Sequence, residues 1–344
     1  MALTSDTRLG PYEITVRIGV GAMGDVYQSV TTFKEHMMRT IRTTSIVVLS
    51  LIVCLPPTGA AAQGGNPDSI TQLTESIFRR GNQSNVFMVT DEGIIVVDGT
   101  CSGGGQQWLK EELARRYDVP VKYVILTHDH EMHICGTQVF SDTAVVVAHR
   151  NARPHIVREG RNSAVPNVTF EDTMEIHLGG KRVVLYYFGP THSNNLIQVH
   201  FPEEGVLVAT DAVRAGKAIG LPDYRDSNVD NLIDALDELS RLDNVEIVVP
   251  GHAGLADQQS FVYFRTYLVA LRERVLAEMV ECRSIDEILT TVTMDDFSDY
   301  GGYENSLRAN IVSMWDYLYR QREPSYSAPC RDSYQDDWDR RIER

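Results

Sequence analysis

The sequence lacks a long hydrophobic run, an excess of basic residues and a large number of cysteines. Its apolar stretch Ile46–Leu55 covers ten residues, which is too short for a bilayer-spanning helix of about 20. Asp and Glu outnumber Lys and Arg by 47 to 32, and the formal net charge of −15 argues against a nucleic-acid partner and against adhesion to anionic membranes. A chain of 344 residues can bury a large core without disulfides, so its five cysteines need not hold it together.

A glycine-rich run lies near the start of the sequence. Residues 19–26, Gly-Val-Gly-Ala-Met-Gly-Asp-Val, match the glycine-rich loop that covers ATP phosphates in kinases. Together with Leu9–Ile14 and Tyr27 they resemble the N-terminus of a bacterial serine/threonine kinase. The strand-lysine, catalytic-loop and metal-binding aspartate motifs of that family are missing from the sequence. We therefore interpret residues 1–36 as a kinase-like remnant that does not function as a kinase.

Residues 37–62 show the order of regions that is typical of a secretory signal peptide. A basic start precedes the apolar stretch Ile46–Leu55, and Ala60–Ala62 offers a cleavage site. A short buried strand or helix is the alternative interpretation of the apolar stretch. Because a signal peptide belongs at the N-terminus, we expect translation to start at Met37 or Met38. The mature protein is then expected to be periplasmic or secreted, without a stable membrane anchor after cleavage.

The cysteines that remain after cleavage allow more than one arrangement. An oxidising compartment permits disulfides, and Cys282 and Cys330 form a conceivable pair because both lie in the C-terminal region. Free buried cysteines are at least as compatible with the sequence, which does not fix a pairing. Cys135 is expected to be a small buried side chain near the histidines discussed below.

Strands and helices alternate from residue 63 onwards. Apolar runs around turn residues predict hairpins, and other apolar runs predict strands and amphipathic helices. The predicted hairpins are 86–97 and 196–209, the further strands 121–126, 144–148, 169–178, 183–188 and 245–249, and the helices 108–117, 229–242, 257–281 and 304–320. Because hairpins exclude a purely parallel sheet, the pattern predicts two mixed sheets packed together with helices outside. This α/β (α+β) domain covers residues 63–322, and residues 323–344 are expected to be a polar, charged tail.

Three histidines, His128, His130 and His133, fall within six positions directly after an apolar strand. Three more residues of metal-binding type also follow predicted strand ends, which meet at one rim in a layered fold: His192, Asp211 and His252. Imidazole nitrogen and carboxylate oxygen suit zinc, and a catalytic zinc keeps one position open for water. Zinc lowers the pKa of that water to about 7, so that hydroxide is available near neutral pH. The pattern therefore favours a zinc site. The alternative interpretation is that these histidines lie in the core or on the surface and have no common function.

The runs Thr127–His133 and Pro250–His252, together with His192 and Asp211, resemble the metallo-β-lactamase-fold hydrolase superfamily. Asn85 and Val86 and residues 96–99 resemble its first hairpin, so that the resemblance covers about residues 68–320. It implies an αββα sandwich of two mixed β-sheets flanked by helices, with the metals at one edge. It also implies a role for each matching residue: His128, His130 and His192 in the first zinc site, His133 and His252 in the second, Asp211 as the bridging carboxylate and Asp98 as a structural aspartate below the site.

One position departs from this family pattern. Met132 stands where the family usually carries a metal-binding aspartate, and a thioether is a poor zinc ligand. We therefore expect one firmly bound zinc and a weaker second one. Glu131 is a candidate catalytic residue that compensates for the missing aspartate, and Asp211 is a candidate proton acceptor.

The predicted activity is zinc-dependent hydrolysis of a small molecule. Metal-bound hydroxide would attack the carbonyl of an ester, thioester, lactone or amide, including a β-lactam. The alternative is a catalytically weak or inactive metal- or ligand-binding protein on the same fold, because of Met132. A di-iron redox protein of this fold is a third possibility, but such sites carry glutamate in the place of His130.

Several other polar residues near these motifs have ordinary interpretations. Asn194 and Asn195 follow His192 and are turn residues or substrate-binding groups. The remaining histidines are expected to be structural or on the surface, with His149 and His155 at the surface and His177 and His200 within strands.

Overall fold

The computed structural model describes residues 8–9, 12–21, 24–31, 66–219, 227–252, 254–321, 323–325 and 331–342. The chain divides into two compact units, Met1–Gly59 and Ala60–Arg344. The predicted signal peptide, residues 37–62, and Cys330 lie outside the described residues, so neither prediction is tested.

The N-terminal unit contains an antiparallel sheet of three strands in the order β1-β2-β3. Its strands are β1 Arg8–Leu9, β2 Tyr12–Gly21 and β3 Gly24–Thr31. The glycine-rich residues 19–26 therefore fall at the connection between β2 and β3. The interpretation of this unit as a kinase-like remnant stays a prediction.

The second unit contains two mixed sheets. The seven-stranded sheet has the order β10-β9-β8-β7-β6-β5-β4, antiparallel from β4 to β7 and parallel from β7 to β10. Its strands are β4 Ile70–Gln72, β5 Ile77–Arg80, β6 Val86–Val89, β7 Ile94–Val97, β8 Val121–Ile125, β9 Val145–His149 and β10 Val168–Phe170. The five-stranded sheet, in the order β11 to β15, is antiparallel except for the parallel pair β14 and β15. Its strands are β11 Thr173–Leu178, β12 Lys181–Tyr186, β13 Gln198–Phe201, β14 Val206–Ala209 and β15 Ile247–Pro250.

Helices cover the outer faces of both sheets. They are α1 Gly105–Arg116, α2 Glu131–Ile134, α3 Ala152–Glu159, α4 Val229–Leu239, α5 Gln259–Val280, α6 Ile285–Thr291, α7 Tyr303–Arg320 and α8 Arg331–Ile342. Short 3₁₀ helices lie at Thr137–Phe140 and Asp295–Phe297. Among the described helices, none combines the length and the apolar character that a membrane span requires.

Three apolar clusters show how the layers pack. The first lies between the sheets and includes Val97, Leu185 and Val199. The second joins the seven-stranded sheet to α1 and α3, and the third joins the five-stranded sheet to α4, α5, α6 and α7. Because each sheet is covered on both faces, strands such as β7 and β14 are apolar along their whole length. The predicted αββα sandwich of two mixed sheets is confirmed.

Two details differ from the sequence-based expectation. The stretch 169–178, predicted as one strand, is divided between β10 in one sheet and β11 in the other, because the chain crosses between the sheets at Glu171 and Asp172. The C-terminal stretch expected to be a polar tail contains α8, whose Tyr334 is completely buried against Trp315. Single aromatic residues anchor this polar helix, and its low mean hydropathy hides them in the sequence.

The sequence interpretation also missed α6. Ser284 caps this helix by accepting a hydrogen bond from the Glu287 amide, and the Glu287 side chain accepts one from the Ser284 amide. This reciprocal pair is the capping box, a Ser-x-x-Glu signal that is readable from sequence.

Candidate metal centre

The predicted ligands lie on four loops at one edge of the sandwich. His128 and His130 follow β8, and His133 lies on α2 immediately after them. His192 lies between β12 and β13, Asp211 follows β14, and His252 follows β15. Consecutive parallel strands end at the same edge of a sheet, and the strand pairs β7–β8 and β14–β15 bring their loops to this edge.

Four of these residues form the first half of the centre. One ligand atom from each of His128, His130, His192 and Asp211 lies within 4.8 Å of the others. The Nε2 atoms of His128 and His192 are 3.7 and 3.5 Å from Asp211 Oδ2. His192 Nε2 is also 3.1 Å from His130 Nδ1. The three histidines that the family resemblance assigns to the first zinc site are therefore brought together.

The second half is built from His133 and His252 on the same carboxylate. His133 Nε2 lies 3.0 Å from Asp211 Oδ2, and His252 Nε2 lies 3.4 Å from Asp211 Oδ1. The three ligand atoms form a second group within 4.8 Å of one another. Asp211 thus belongs to both groups, which is the position expected of a bridging ligand.

The donor atoms fit a bound metal ion. His128 Nε2 is buried and has no hydrogen-bond partner among the described residues. An unpaired buried polar atom is costly unless something binds it. Burial lowers the pKa of His128 well below its ordinary value, and it also lowers the pKa of His130. Both rings are therefore neutral near pH 7, as metal ligation requires.

The pKa values of Asp211 and His133 are shifted in opposite directions. Burial opposes ionisation of Asp211, yet the close contact with His133 and the charges of the surrounding histidines hold its pKa far below the usual range. The pKa of His133 is raised in return, because Asp211 and Asp98 outweigh the effect of burial. Among the histidine contacts with Asp211 given above, that of His133 is the shortest.

Asp98 lies below the centre and is completely buried. Its Oδ1 accepts a hydrogen bond from the Thr127 amide at 2.8 Å, and its Oδ2 accepts from the hydroxyls of Thr127, Ser84 and Thr210 at 2.9, 2.7 and 3.1 Å. Burial raises the pKa of this carboxyl, and these hydrogen bonds oppose the rise. The structural role that the resemblance gives to Asp98 agrees with these contacts.

Two of these hydroxyls also contact histidine ligands and orient their rings. Thr127 Oγ1 lies 3.1 Å from His128 Nδ1, and Ser84 Oγ lies 3.1 Å from His133 Nδ1. Each hydroxyl donates its hydrogen to Asp98, so each accepts a hydrogen from Nδ1. This tautomer leaves the Nε2 lone pair free for a metal. Thr127 is the first residue of the family run Thr127–His133, but no role was predicted for it, and Ser84 was missed although it precedes Asn85 of the first hairpin.

Gly251 makes room for the shared carboxylate. A Cβ at this position would lie 2.3 Å from Asp211 Oδ1 and 3.0 Å from His133 Cε1. Asp211 itself adopts a left-handed backbone with φ of 53°, which is uncommon outside glycine and often marks a functional site.

Asp129 ties two ligand loops together instead of binding metal. Its carboxylate accepts hydrogen bonds from Asn195 Nδ2 at 2.8 Å and from Arg161 Nη2 at 3.1 Å. Its amide donates to Asn195 Oδ1 at 2.9 Å. The buried Asn195 therefore joins the His128–His130 loop to the His192 loop through hydrogen bonds. The carbonyl of Asn194 accepts a hydrogen bond from Tyr187 Oη at 2.8 Å.

Met132 and Glu131 lie outside both ligand groups. Met132 is 57% exposed, and Glu131 is also exposed. Both line a cleft of about 440 Å³ together with Gln83 and the loop after β7. The carboxylate of Glu131 is not among the atoms that lie within 4.8 Å of one another.

Cys135 is buried as expected, but its disulfide was not predicted from the sequence. Cys135 forms a disulfide with Cys101, with the two Cα atoms 5.4 Å apart. The bond joins the end of α2 to the loop after β7, a proximity that a separation of 34 residues conceals in the sequence. Cys282 is also disulfide-bonded, and the proposed pairing with Cys330 stays a prediction.

The histidines outside the centre have structural contacts. His149, expected at the surface, is buried as the last residue of β9, where its Nε2 lies 2.9 Å from the Glu171 carbonyl oxygen. His200 is buried 3.0 Å from the Asn244 carbonyl oxygen, and His177 is exposed beside Glu175. His155 is half-buried, with its Nδ1 2.8 Å from Arg158 Nη2.

Arg214 is a charged residue near the centre that the sequence interpretation did not single out. It lies three residues after Asp211 and is half-buried. Burial is the main cause that lowers the pKa of His252, and the positive charges of His133 and Arg214 add to this effect. No described carboxylate forms an ion pair with it. Its position three residues after Asp211 is the feature of the sequence that could have drawn attention to it.

The chain belongs to the metallo-β-lactamase superfamily. The profile of that superfamily matches residues 79–252, about half of the chain, and the match includes all six residues of the centre. The chain is therefore a member of a superfamily of hydrolases, and it carries a His/Asp cluster suited to metal binding.

Curated relatives are distant and aligned over part of the chain. The 2,4-dinitroanisole O-demethylase subunit alpha of Nocardioides sp. (strain JS1661) is 27% identical over 157 residues, which is 44% of this chain and 46% of that protein. Metallo-beta-lactamase type 2 of Elizabethkingia meningoseptica is 25% identical over 177 residues, which is 50% of this chain and 70% of that protein. The chain thus spans less than half the length of the first of these proteins.

Solved structures share the fold. The metallo-beta-lactamase from Pontibacter korlensis aligns with a TM-score of 0.53 and 19% identity, covering 58% of this chain and 98% of that one. The metallo-beta-lactamase FIM-1 from Pseudomonas aeruginosa, solved in its mono-zinc form, aligns with a TM-score of 0.52 and 16% identity, covering 61% of this chain and 98% of that one. At these identities the likeness concerns the fold alone.

Proposed function

We propose that the protein is a zinc-dependent hydrolase of small molecules that contain an ester, thioester, lactone or amide carbonyl, including the β-lactam amide. The observation that carries this proposal is the convergence of five histidines on one shared carboxylate, Asp211. When bound, zinc supplies a Lewis acid for the carbonyl and lowers the pKa of a coordinated water toward neutrality.

The residues of the centre have separate tasks in this proposal. His128, His130 and His192 would hold one zinc ion, and His133 and His252 a second, with Asp211 between them. The low pKa of Asp211 keeps its carboxylate ionised at all physiological pH values. A group that acidic is a weak base, so its acidity favours a ligand role over that of a proton acceptor. Glu131 is exposed beside the centre and remains a candidate for proton transfer.

Arg214 extends the proposal to the substrate. A half-buried guanidinium without a described carboxylate partner is suited to bind a carboxylate or another planar anion through paired hydrogen bonds. Its position near His252 would place such an anion beside the second half of the centre.

Met132 supports a second candidate, a weakly active or inactive metal-binding protein. Its exposed side chain lines the cleft, and a thioether is a poor zinc ligand. The second half therefore has two histidines and a shared carboxylate as its described protein ligands.

We further propose that the protein is exported to the periplasm or the cell exterior. The Cys101–Cys135 disulfide and the disulfide-bonded state of Cys282 support this proposal, because disulfides persist in oxidising compartments and are rare in the cytosol.

Zinc per chain, measured on the purified full chain together with turnover, tests the activity. Wild type and Met132→Asp would be compared with Val280→Asp, which adds the same charge at another position that is 57% exposed. We expect about one firmly bound zinc in wild type and two in Met132→Asp. Hydrolysis of a p-nitrophenyl ester, a thioester, a lactone or a chromogenic cephalosporin should stop with a chelator and return with zinc.

Each other result has a definite meaning. Two zinc ions in wild type would show that the second half is complete without an aspartate at position 132. Full zinc loading without turnover of any of these substrates would favour the metal-binding protein. No bound zinc after reconstitution would contradict the proposed hydrolase.

A further inference from the structure

We infer that the cleft beside α2 is a substrate subsite that accepts an apolar group ending in an ammonium or another hydrogen-bond donor. This inference rests on the proposed hydrolase function and names one part of its substrate. The cleft has a volume of about 440 Å³, which lies within the range of small-molecule sites.

The walls of the cleft belong to the second half of the metal centre. Glu131 and Met132 form one wall and precede the ligand His133 directly in α2. Gln83 forms another wall and pairs with His252 through an isolated backbone β-bridge. A group seated between these walls is therefore adjacent to the loops that carry both histidines.

Sulfur atoms give the cleft an apolar and polarisable surface. Met132 lines it together with Cys101 and Cys135, whose sulfur atoms are joined in the disulfide. Methionine is flexible and makes favourable contacts with aromatic rings. The side chain that replaces the usual aspartate therefore changes the function of its position from a metal ligand to a surface for the substrate.

A carboxylate lines the cleft. Among the described residues that line it, Glu131 is the only charged one, and no described cation forms an ion pair with it. The other polar lining residues, Thr100, Ser102 and Gln83, are neutral. A cationic or hydrogen-bond-donating end group is therefore favoured here over an anionic one.

Binding of two stable probes to the zinc-loaded full chain tests this inference without requiring turnover. The probes are 3-phenylpropylammonium and the neutral alcohol 3-phenylpropan-1-ol, with Kd measured at pH 7 by ligand-observed NMR. We expect the ammonium to bind about fivefold more tightly at low salt, which is the upper range for an exposed ion pair. The ratio should shrink in 0.5 M salt, because exposed charges are screened.

Three variants locate the effect. Glu131→Gln should bring the ratio of the two Kd values close to one. Glu92→Gln, a change of the same charge in the turn at the far end of the β6–β7 hairpin, should leave the ratio unchanged. Met132→Ser should weaken both probes by about threefold, since it removes the sulfur contact with the ring.

An equal Kd for both probes in wild type, or an unchanged ratio in Glu131→Gln, would overturn the subsite. Turnover of carbonyl substrates is measured on the same protein samples. Turnover combined with equal probe binding rejects the subsite and keeps the hydrolase, whereas the expected probe pattern without any turnover supports the subsite and rejects the hydrolase.

Discussion

The two halves of the metal centre share one carboxylate but differ in how the fold supports them. In the first half, His128 is fully buried and the His192 side chain is 10% exposed. In the second half, the His133 side chain is 2% exposed, whereas the His252 side chain is 32% exposed. Water therefore competes with a metal more easily at His252 than at His128, His133 or His192.

The contacts that hold the ligand loops in place also differ between the two halves. The loops of the first half are tied to each other through Asp129 and Asn195, which exchange two hydrogen bonds. The second half depends on α2, which has a single turn, and on the disulfide at its end. The strength of metal binding at each half therefore depends on how its loops are anchored as well as on the type of its ligands.

The largest expected effect comes from removing one ligand of each half. His128→Ala should lower kcat/KM by at least about 100-fold, since a catalytic metal contributes several kcal/mol to the transition state. His252→Ala should lower it less and should leave the first metal bound. Metal content and kcat/KM of both variants check this order, and equal losses would mean that the two halves act as one unit.

A smaller effect is expected from cutting the hydroxyl links to Asp98. Thr127→Val removes the contact with His128, and Ser84→Ala removes the contact with His133. Each should weaken metal binding in its own half by about 10- to 100-fold, as is usual for groups that orient a ligand. Stepwise titration with a zinc chelator measures the two affinities separately. A loss in the opposite half for either variant would show that Asp98 couples the halves.

The smallest effect on the first half is expected from opening the disulfide. Cys101→Ser should lower the free energy of unfolding by about 2–4 kcal/mol, because it frees a long loop in the unfolded chain. It should also weaken the second metal, since α2 loses its anchor, while the first metal remains. Thermal unfolding with and without zinc, compared with reduced wild type, measures both effects. An unchanged second affinity would show that His133 is positioned without the disulfide.

The part of the centre that is local in sequence was predictable. His128, His130 and His133 lie in one short run after a strand, and His192, Asp211 and His252 each follow a strand or a strand-like run. Their chemistry and their place at strand ends are visible without coordinates. The hairpins and apolar runs likewise predicted the two mixed sheets, because strands that are covered on both faces are mostly apolar, as β7 and β14 are.

The contacts that join distant parts of the chain were not predictable. The Cys101–Cys135 bond and the pairing of Asp129 with Asn195 depend on how loops from different strands meet. Arg161, which also binds Asp129, follows α3 and carries no motif. Burial of His149 depends on the carbonyl of Glu171, which reaches it from the crossing between the sheets.

The space at Gly251 limits how this protein can diverge. Even the methyl group of alanine would overlap the carboxylate that both halves share, so the codon for residue 251 tolerates almost no amino-acid replacement while the centre keeps its geometry. In a library of random variants selected for metal retention, this position should lose its diversity first. A homologue with a side chain at this place must therefore hold its bridging carboxylate on a different path of the backbone.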